Sequence, residues 1–138
     1  MAKVLKEFSI RKLREPTEKK LDKDIEWICN SLGFITPRDQ SKTAYKILKA
    51  LIKAAKKGKG MTSEELTKIV KPTIGSVIYH LKKLMKAGLI VKLGSTYELR
   101  MKSLLATINE IHKEMEIVLT DIKTIAEEID DKIGLENR

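Results

Sequence analysis

Apolar residues recur at alternating intervals of three and four along the last third of the chain. The series runs unbroken from Met101 to Ile129, and this spacing is typical of one face of a continuous helix. A helix of about thirty residues is about 45 Å long, which is longer than a domain of this size can cover, so much of the face needs a partner. We expect a coiled-coil-like dimerisation helix over 101–138, with a second copy of the chain as partner. The predicted contact positions are Met101, Leu104, Ile108, Ile111, Met115, Val118, Ile122, Ile125 and Ile129.

A second apolar row runs beside this stripe and widens it, at Leu105, Leu119, Ala126 and Ile133. The width exceeds what a two-stranded seam requires, so we expect this helix also to pack against the helix predicted near the N-terminus. The alternative is that the long helix folds back on its own domain without dimerising.

The charges divide the chain at the same place. Residues 1–100 carry 23 Lys and Arg against 10 Asp and Glu, whereas residues 101–138 carry 5 against 9. A basic body gains affinity for nucleic acid by neutralising phosphates and releasing counterions. Phosphate binding is therefore expected in the first hundred residues, and the acidic tail is not expected to lie on DNA.

The N-terminal region, 1–38, is interpreted as a basic arm followed by a helix. Residues 1–15 mix basic and apolar side chains without a period, and the arm either enters a minor groove, stays disordered or packs on the protein. Pro16 and Thr17 predict a helix start, and Gly33 predicts its end, giving a helix over 17–32. Its apolar stripe consists of Leu21, Ile25, Ile28 and Leu32.

The next helix follows a turn bracketed by Gly33 and Pro37, and it has two unlike faces. Apolar residues between Ala44 and Ala55 form one face. The other face carries lysines at Lys42, Lys46, Lys49, Lys53 and Lys56. This lysine stripe is either an ordinary solvated surface or a track for phosphates.

Local signals divide the segment from 62 to 100 into four elements. Thr62 and Glu65 have the spacing of a capping box, which predicts a helix over 63–70. Lys71-Pro72 ends that helix, and Thr73 caps a second helix over 73–86. Two runs of strand-forming residues, 89–93 and 96–100, then flank Gly94-Ser95, which is compatible with a type I′ or II′ hairpin turn.

The run Gly75–Ile90, GSVIYHLKKLMKAGLI, resembles the winged helix-turn-helix of bacterial and archaeal regulators, in particular ArsR-like proteins. The resemblance implies a mainly α fold with a small β-hairpin. In this fold a winged helix-turn-helix domain over 39–100 is flanked by the N-terminal helix and the long C-terminal dimerisation helix. The resemblance suggests an archaeal source, and a composition rich in Ile, Lys and Glu with a single Gln is common in proteins from hot environments.

The resemblance further implies a sequence-specific, homodimeric transcription regulator of double-stranded DNA. The helix 73–86 would enter the major groove, the wing 89–100 would lie near the backbone, and the two half-sites would be roughly 34 to 36 Å apart. Ile78 departs from the polar residue frequent at its position, and either contacts a thymine methyl or packs under the wing. The residues that the resemblance and the wing place near DNA are Thr73, Ser76, Tyr79, His80, Lys82, Lys83, Lys92 and Arg100.

Other classes of function find little support in the sequence. No phosphate-binding, dinucleotide-binding or hydrolase motif is present, so we expect no enzyme and no cofactor. Cys29 is the only cysteine and is expected to be buried, which makes thiolate metal sensing improbable. His112 and Glu116, one helical turn apart, are too few ligands for a metal.

No apolar run is long enough to span a membrane, and the first residues lack the apolar stretch of a signal peptide. We therefore expect a cytoplasmic protein without membrane contact. No pattern identifies a small-molecule effector. The alternative function is that of a winged-helix protein-interaction or RNA-binding subunit of a larger nucleic-acid-processing assembly.

Overall fold

The computed structural model describes residues 3–35 and 42–136, and in this part of the chain five helices surround a small antiparallel sheet. The helices are α1 (Leu21–Ser31), α2 (Thr43–Lys56), α3 (Ser63–Val70), α4 (Ile74–Lys86) and α5 (Leu104–Ile133). The strands are β1 (Met61–Thr62), β2 (Ile90–Leu93) and β3 (Thr96–Leu99). The predicted fold class, mainly α with a winged helix and a long C-terminal helix, is confirmed.

Helix α2 lies at the centre of the core. It contacts α1, α3, α4 and β3, and its apolar face is fully buried at Ile47, Leu48 and Leu51. The lysines remain on the other face, so the amphipathic pattern alone orients this helix. The other buried apolar side chains are Ile25, Cys29, Ala44, Leu66, Val70, Val77, Leu81, Leu84, Leu89, Ile90, Tyr97, Leu99 and Ile111.

Cys29 is fully buried on α1, as expected. Burial raises the pKa of its thiol to about 12, because a thiolate would lose its hydration there. The side chain therefore acts as a small apolar group of the core.

The helix-turn-helix forms as predicted. Glu65 N–H donates to the Thr62 hydroxyl at 3.1 Å, and Thr62 N–H donates to the Glu65 carboxylate at 3.0 Å, completing the capping box of α3. Lys71 ends α3 in the left-handed conformation, with φ of 70°. Pro72 follows, and Thr73 caps α4, so a three-residue connection turns the chain from α3 into α4.

The wing is a hairpin with a type II′ turn. Gly94 has φ of 63°, whereas Ser95 does not have a positive φ, which excludes the type I′ turn. The sequence did not predict β1, which pairs with β3 through Met61 and Thr62 and gives the strand order β1-β3-β2. A Cβ at Gly60 would lie 2.8 Å from the Thr96 hydroxyl, so glycine is required where the two strands converge.

The predicted start of the first helix at Thr17 is wrong. Helix α1 begins at Leu21, and residues 3–20 lie along the domain without forming a helix. Glu7 N–H donates to the Lys86 carbonyl at 3.2 Å, and Arg11 N–H donates to the Ser31 carbonyl at 2.7 Å. These hydrogen bonds and the packing of Phe8 on the core favour the packing alternative for the arm, although Leu5 and Ile10 are exposed. The turn at Pro37 and the boundary between residues 38 and 39 lie outside the described residues.

Helix α5 changes its surroundings along its length. Its first three turns pack on the core through buried Ile111 and partly buried Leu104, Ile108 and Met115. Met101, predicted as the first contact position, precedes the helix, because Ser103 is the N-cap. The apolar side chains beyond Met115 are exposed, namely Ile117, Val118, Leu119, Ile122, Ile125, Ile129 and Ile133.

The expectation that the second apolar row packs on the N-terminal helix is wrong. Leu105 is 71% exposed, and Leu119 and Ile133 are also exposed. The packing neighbour of α1 is α2, whose apolar face buries Ile25 and Cys29. The row therefore adds to the uncovered surface of α5.

Candidate nucleic-acid interface

The first turn of α4 is held in place by its cap. The Thr73 hydroxyl accepts a hydrogen bond from Ser76 N–H at 3.2 Å. This cap satisfies one of the free N–H groups of the helix end, and the other free N–H groups give that end a partial positive charge. Thr73 and Ser76 thus lie at the end of α4 that is suited to contact a phosphate.

Tyr79 is the most prominent side chain on the outer face of α4. It is 57% exposed, although its ring has neighbours on two sides. The Lys83 ammonium lies 5.3 Å from the ring centroid, and the His80 ring meets it edge-on at 5.2 Å. A cation over a ring and an edge-to-face pair are both favourable contacts, so the tyrosine is held in position while its exposed part remains available.

The charge of this face is uniformly positive. Helix α4 contains no acidic residue, and Lys82, Lys83 and Lys86 are exposed along it. Together with Tyr79 and Met85 they line a shallow depression. Inward-facing Val77, Leu81 and Leu84 are fully buried, so the helix is fixed on the domain by one face and presents lysines on the other.

Sequence reasoning missed Ile74 as a candidate contact residue. Ile74 is the first residue of α4, at the end where a helix approaches base edges, and it is exposed. Its place next to the cap is the signal that distinguishes it from the buried positions further along the helix. An exposed isoleucine there is suited to contact a thymine methyl. Ile78, proposed for that contact or for packing, is half-buried.

The two basic residues predicted at the wing differ in their surroundings. Lys92 is exposed on β2, with its ammonium 5.6 Å from the centroid of the Tyr97 ring. Arg100 is half-buried and forms an ion pair with Glu114 of α5, and it also approaches the Gly88 carbonyl at 3.5 Å. The structure thus brings together the predicted residues on α4, whereas Arg100 is engaged inside the protein, where a phosphate would have to compete with Glu114.

The lysine stripe of α2 also divides into two groups. Lys42 pairs with Glu26 of α1, and Lys49 pairs with Asp22 at 2.7 Å. The hydrogen bond to Lys49 lowers the pKa of Asp22, and the hydrogen bond to Glu26 raises the pKa of Lys42. These two lysines connect α1 to α2. The others on the stripe, Lys46, Lys53 and Lys56, are exposed.

A second, larger concavity lies between α2 and α3, with a volume of about 610 Å³. We call it the α2–α3 groove. Lysines from α2 and the following loop form its rim, and apolar or small residues form its floor. Sequence reasoning missed it, because it arises where α3 and β1 pack beside the lysine face of α2.

The structure shows no metal-binding cluster within residues 3–35 and 42–136. No three His, Cys, Asp or Glu side chains in those ranges are grouped as metal ligands. His112 and Glu116 of α5 approach each other to 3.1 Å as a surface pair. None of the described helices is both long enough and apolar enough to cross a membrane.

Comparison with known proteins gives one family. Residues 41–114, more than half of the chain, match the model of a family described as the B-block binding subunit of TFIIIC. The matched range includes α2, α3, α4, the hairpin and the first three turns of α5. No curated protein and no solved structure matches the chain.

Proposed function

The chain belongs to the family of the B-block binding subunit of TFIIIC, and on this premise we propose that it binds double-stranded DNA in a sequence-specific manner as a homodimeric transcription regulator. The chain carries a winged-helix domain of the DNA-binding kind. The proposal places α4 in the major groove and the hairpin of β2 and β3 along the backbone. In this proposal the protein binds DNA and catalyses no reaction.

One observation carries the proposal, namely the outer face of α4. Ser76 and Tyr79 lie on this face next to Lys82 and Lys83, and no carboxylate lies on the same helix. Lysines supply affinity by neutralising phosphates, whereas hydroxyl groups and an exposed methyl-bearing side chain can discriminate between base edges. Ile74, at the start of the helix, adds such a side chain.

The homodimer is proposed because half of α5 is uncovered. Its apolar stripe from Val118 to Ile133 is exposed, and a surface of this kind on a long helix indicates a partner. A two-fold axis between two copies would present two copies of α4 to an inverted repeat. The ArsR-like character and the archaeal, heat-adapted source stay predictions.

The second candidate is a subunit of a larger nucleic-acid-processing assembly. It is favoured by the family description, which names a subunit. In that case a different protein would cover the apolar stripe of α5, and the isolated chain would be monomeric. The molecular mass of the purified protein in solution therefore distinguishes the two candidates.

The test of DNA binding is selection of duplexes from a random pool by the purified chain, followed by affinity measurements at two salt concentrations. We expect an enriched inverted repeat, and a log-log salt slope of about −0.9 for each phosphate contacted. Absence of any enriched sequence would contradict the proposal.

Removing the polar groups of α4 should weaken binding to the selected duplex. For the pair Ser76→Ala and Tyr79→Ala we expect at least a tenfold loss, because each well-formed contact to a base edge contributes about 1–3 kcal/mol. Binding to unrelated duplexes should change much less, because the lysines remain. A control outside α4 is the pair Ser63→Ala and Tyr45→Phe, on α3 and α2. Equal affinities of the Ser76/Tyr79 variant and the wild type would show that α4 is not the reading element.

A further inference from the structure

We propose that the exposed half of α5 from one protomer docks in the α2–α3 groove of its partner. This inference rests on the homodimer of the proposed function and names the surface that receives the helix. The groove and the second half of α5 are both uncovered in the single chain. The groove is basic and the helix segment is acidic, and each also has an apolar strip.

The rim of the groove carries an excess of positive charge. Lys46, Lys53, Lys57 and Lys59 line it, and none of them forms a salt bridge in the described part of the chain, although Lys53 and Lys59 interact at longer range with Asp22 and Glu65. The single carboxylate of the lining belongs to Glu65, which is engaged in the capping box of α3. An occupant with several negative charges would therefore be stabilised.

The occupant of the groove must also cover the apolar residues of its floor. Ala50, Ala54 and Gly60 are small, which allows the backbone of a helix to approach closely, and Met61 lies beside them. Ile69 is 58% exposed at the edge. A DNA backbone would neutralise the lysines and leave these apolar groups in water, whereas an acidic amphipathic helix would cover both.

The second half of α5 is such a helix. Its exposed stripe includes Val118, Ile122, Ile125 and Ile129. The same segment carries the acidic residues Asp121, Glu127, Glu128, Asp130 and Asp131. It is the segment of the described chain in which an exposed apolar face and a net negative charge coincide.

Direct pairing of two such helices is less favourable than docking in the groove. The row next to the stripe is also apolar, at Leu119 and Ile133, so the face is wider than a two-stranded seam covers. The groove lies between two helices and is lined by the opposite charge.

The occupant must come from another molecule. Helix α5 is continuous to Ile133, so its second half cannot bend back to the groove of its own domain. Residues 117–133 extend about 25 Å, enough to reach a neighbouring domain. A two-fold axis makes the contact twice, each protomer giving one helix and receiving one.

Exchange of charges between the two surfaces tests the inference in the full-length chain. The groove variant is Lys53→Glu with Lys57→Glu, and the tail variant is Asp121→Lys with Glu128→Lys, because these two acidic residues lie next to the apolar stripe on the helix. We expect each to weaken the dimer at least tenfold by sedimentation equilibrium. The four substitutions in one chain, and an equimolar mixture of the two variants, should both recover most of the affinity, because each then pairs opposite charges.

The control pair Lys19→Glu and Lys23→Glu makes the same change of charge on exposed residues outside the groove, and it should leave the dimer unchanged. Far-ultraviolet circular dichroism checks that every variant is folded. A dimer that survives the groove substitutions but is lost on Ile125→Asp would overturn the inference and leave the homodimer in place, formed by two α5 helices. A wild-type chain that is monomeric at all concentrations would overturn both, whereas DNA binding is measured separately by duplex selection.

Discussion

Glu65 shows how a single side chain links the sequence to stability. Its carboxylate accepts hydrogen bonds from the Thr62 N–H and hydroxyl, and these bonds lower its pKa from the ordinary value of 4.5. Because the folded pKa lies below the unfolded one, the carboxylate stabilises the fold above pH 4.5. That contribution is lost as the pH falls through the folded pKa.

Substitution of Glu65 by glutamine should therefore flatten the acid limb of the stability curve. Glutamine can still accept the Thr62 N–H hydrogen bond but does not titrate. We expect the free energy of unfolding, measured by urea titration between pH 5 and about pH 3, to fall less steeply in Glu65→Gln than in the wild type. Equal slopes would show that Glu65 does not contribute to the acid sensitivity.

Residues whose partners are near in sequence were predicted, and those with distant partners were not. Thr62 and Glu65 are three positions apart, so their spacing alone identifies the cap. Arg100 was predicted to contact phosphates, yet its carboxylate partner Glu114 lies on α5. Lys49 likewise pairs with Asp22 of α1. Which acidic residue faces a given lysine depends on how two helices pack, and no local pattern contains that information.

At the scale of elements, the ion pair of Arg100 and Glu114 joins the end of the wing to α5. Both side chains are half-buried, and the arginine also approaches the Gly88 carbonyl. We expect Arg100→Ala to reduce the free energy of unfolding by about 1–3 kcal/mol, because a partly buried carboxylate then loses its partner. Denaturant titration measures the change.

The matched control at this position is Arg100→Lys, which retains the positive charge and should lose less stability. A wild-type free energy of unfolding in Arg100→Ala would show that α5 is held by its apolar contacts alone. Independence of DNA affinity from Arg100, measured in the same variants, would separate its structural role from the phosphate contact that the sequence suggested.

Elements with signals at both ends were predicted well. Helices α3 and α4 have caps, a proline and a glycine at their boundaries, and the hairpin has Gly94-Ser95 between two strand-forming runs. Strand β1 has only two residues, too short for a periodic pattern. The start of α1 was misplaced because its N-cap is Lys20, which makes no side-chain cap hydrogen bond, so no local signal marks this boundary, whereas Pro16 and Thr17 resemble one.

At the scale of the whole molecule, the second half of α5 extends beyond the core on which its first half packs. Met115 is the last residue of α5 that packs on the core. A chain ending after Glu116 should therefore keep its circular dichroism spectrum and its thermal midpoint within a few degrees. It should be monomeric by light scattering.

The same truncation should reduce affinity for the inverted repeat by at least a hundredfold, because two linked domains bind with a high effective concentration. Binding to a duplex with a single half-site should change little, which serves as the internal control. An unfolded truncated chain would contradict the division of the molecule at Met115.

The division into a basic body and a long helix was predictable, since the net charge changes sign near residue 101 and the apolar series begins there. The division of α5 into an anchored and an exposed half was not. Ile111 and Ile125 occupy equivalent places in the apolar series, and only the packing of the domain shows that one is buried and the other exposed.

The uninterrupted helix from Leu104 to Ile133 also fixes the angle at which its exposed face points. Each residue inserted beyond Met115 would rotate that face by about 100° and advance it by about 1.5 Å, whereas seven residues restore the direction to within about 20°. The projecting segment can therefore change in length and keep its direction only in steps such as about seven or about eleven residues. Any other change turns the apolar stripe away from its partner without altering a single residue of either surface.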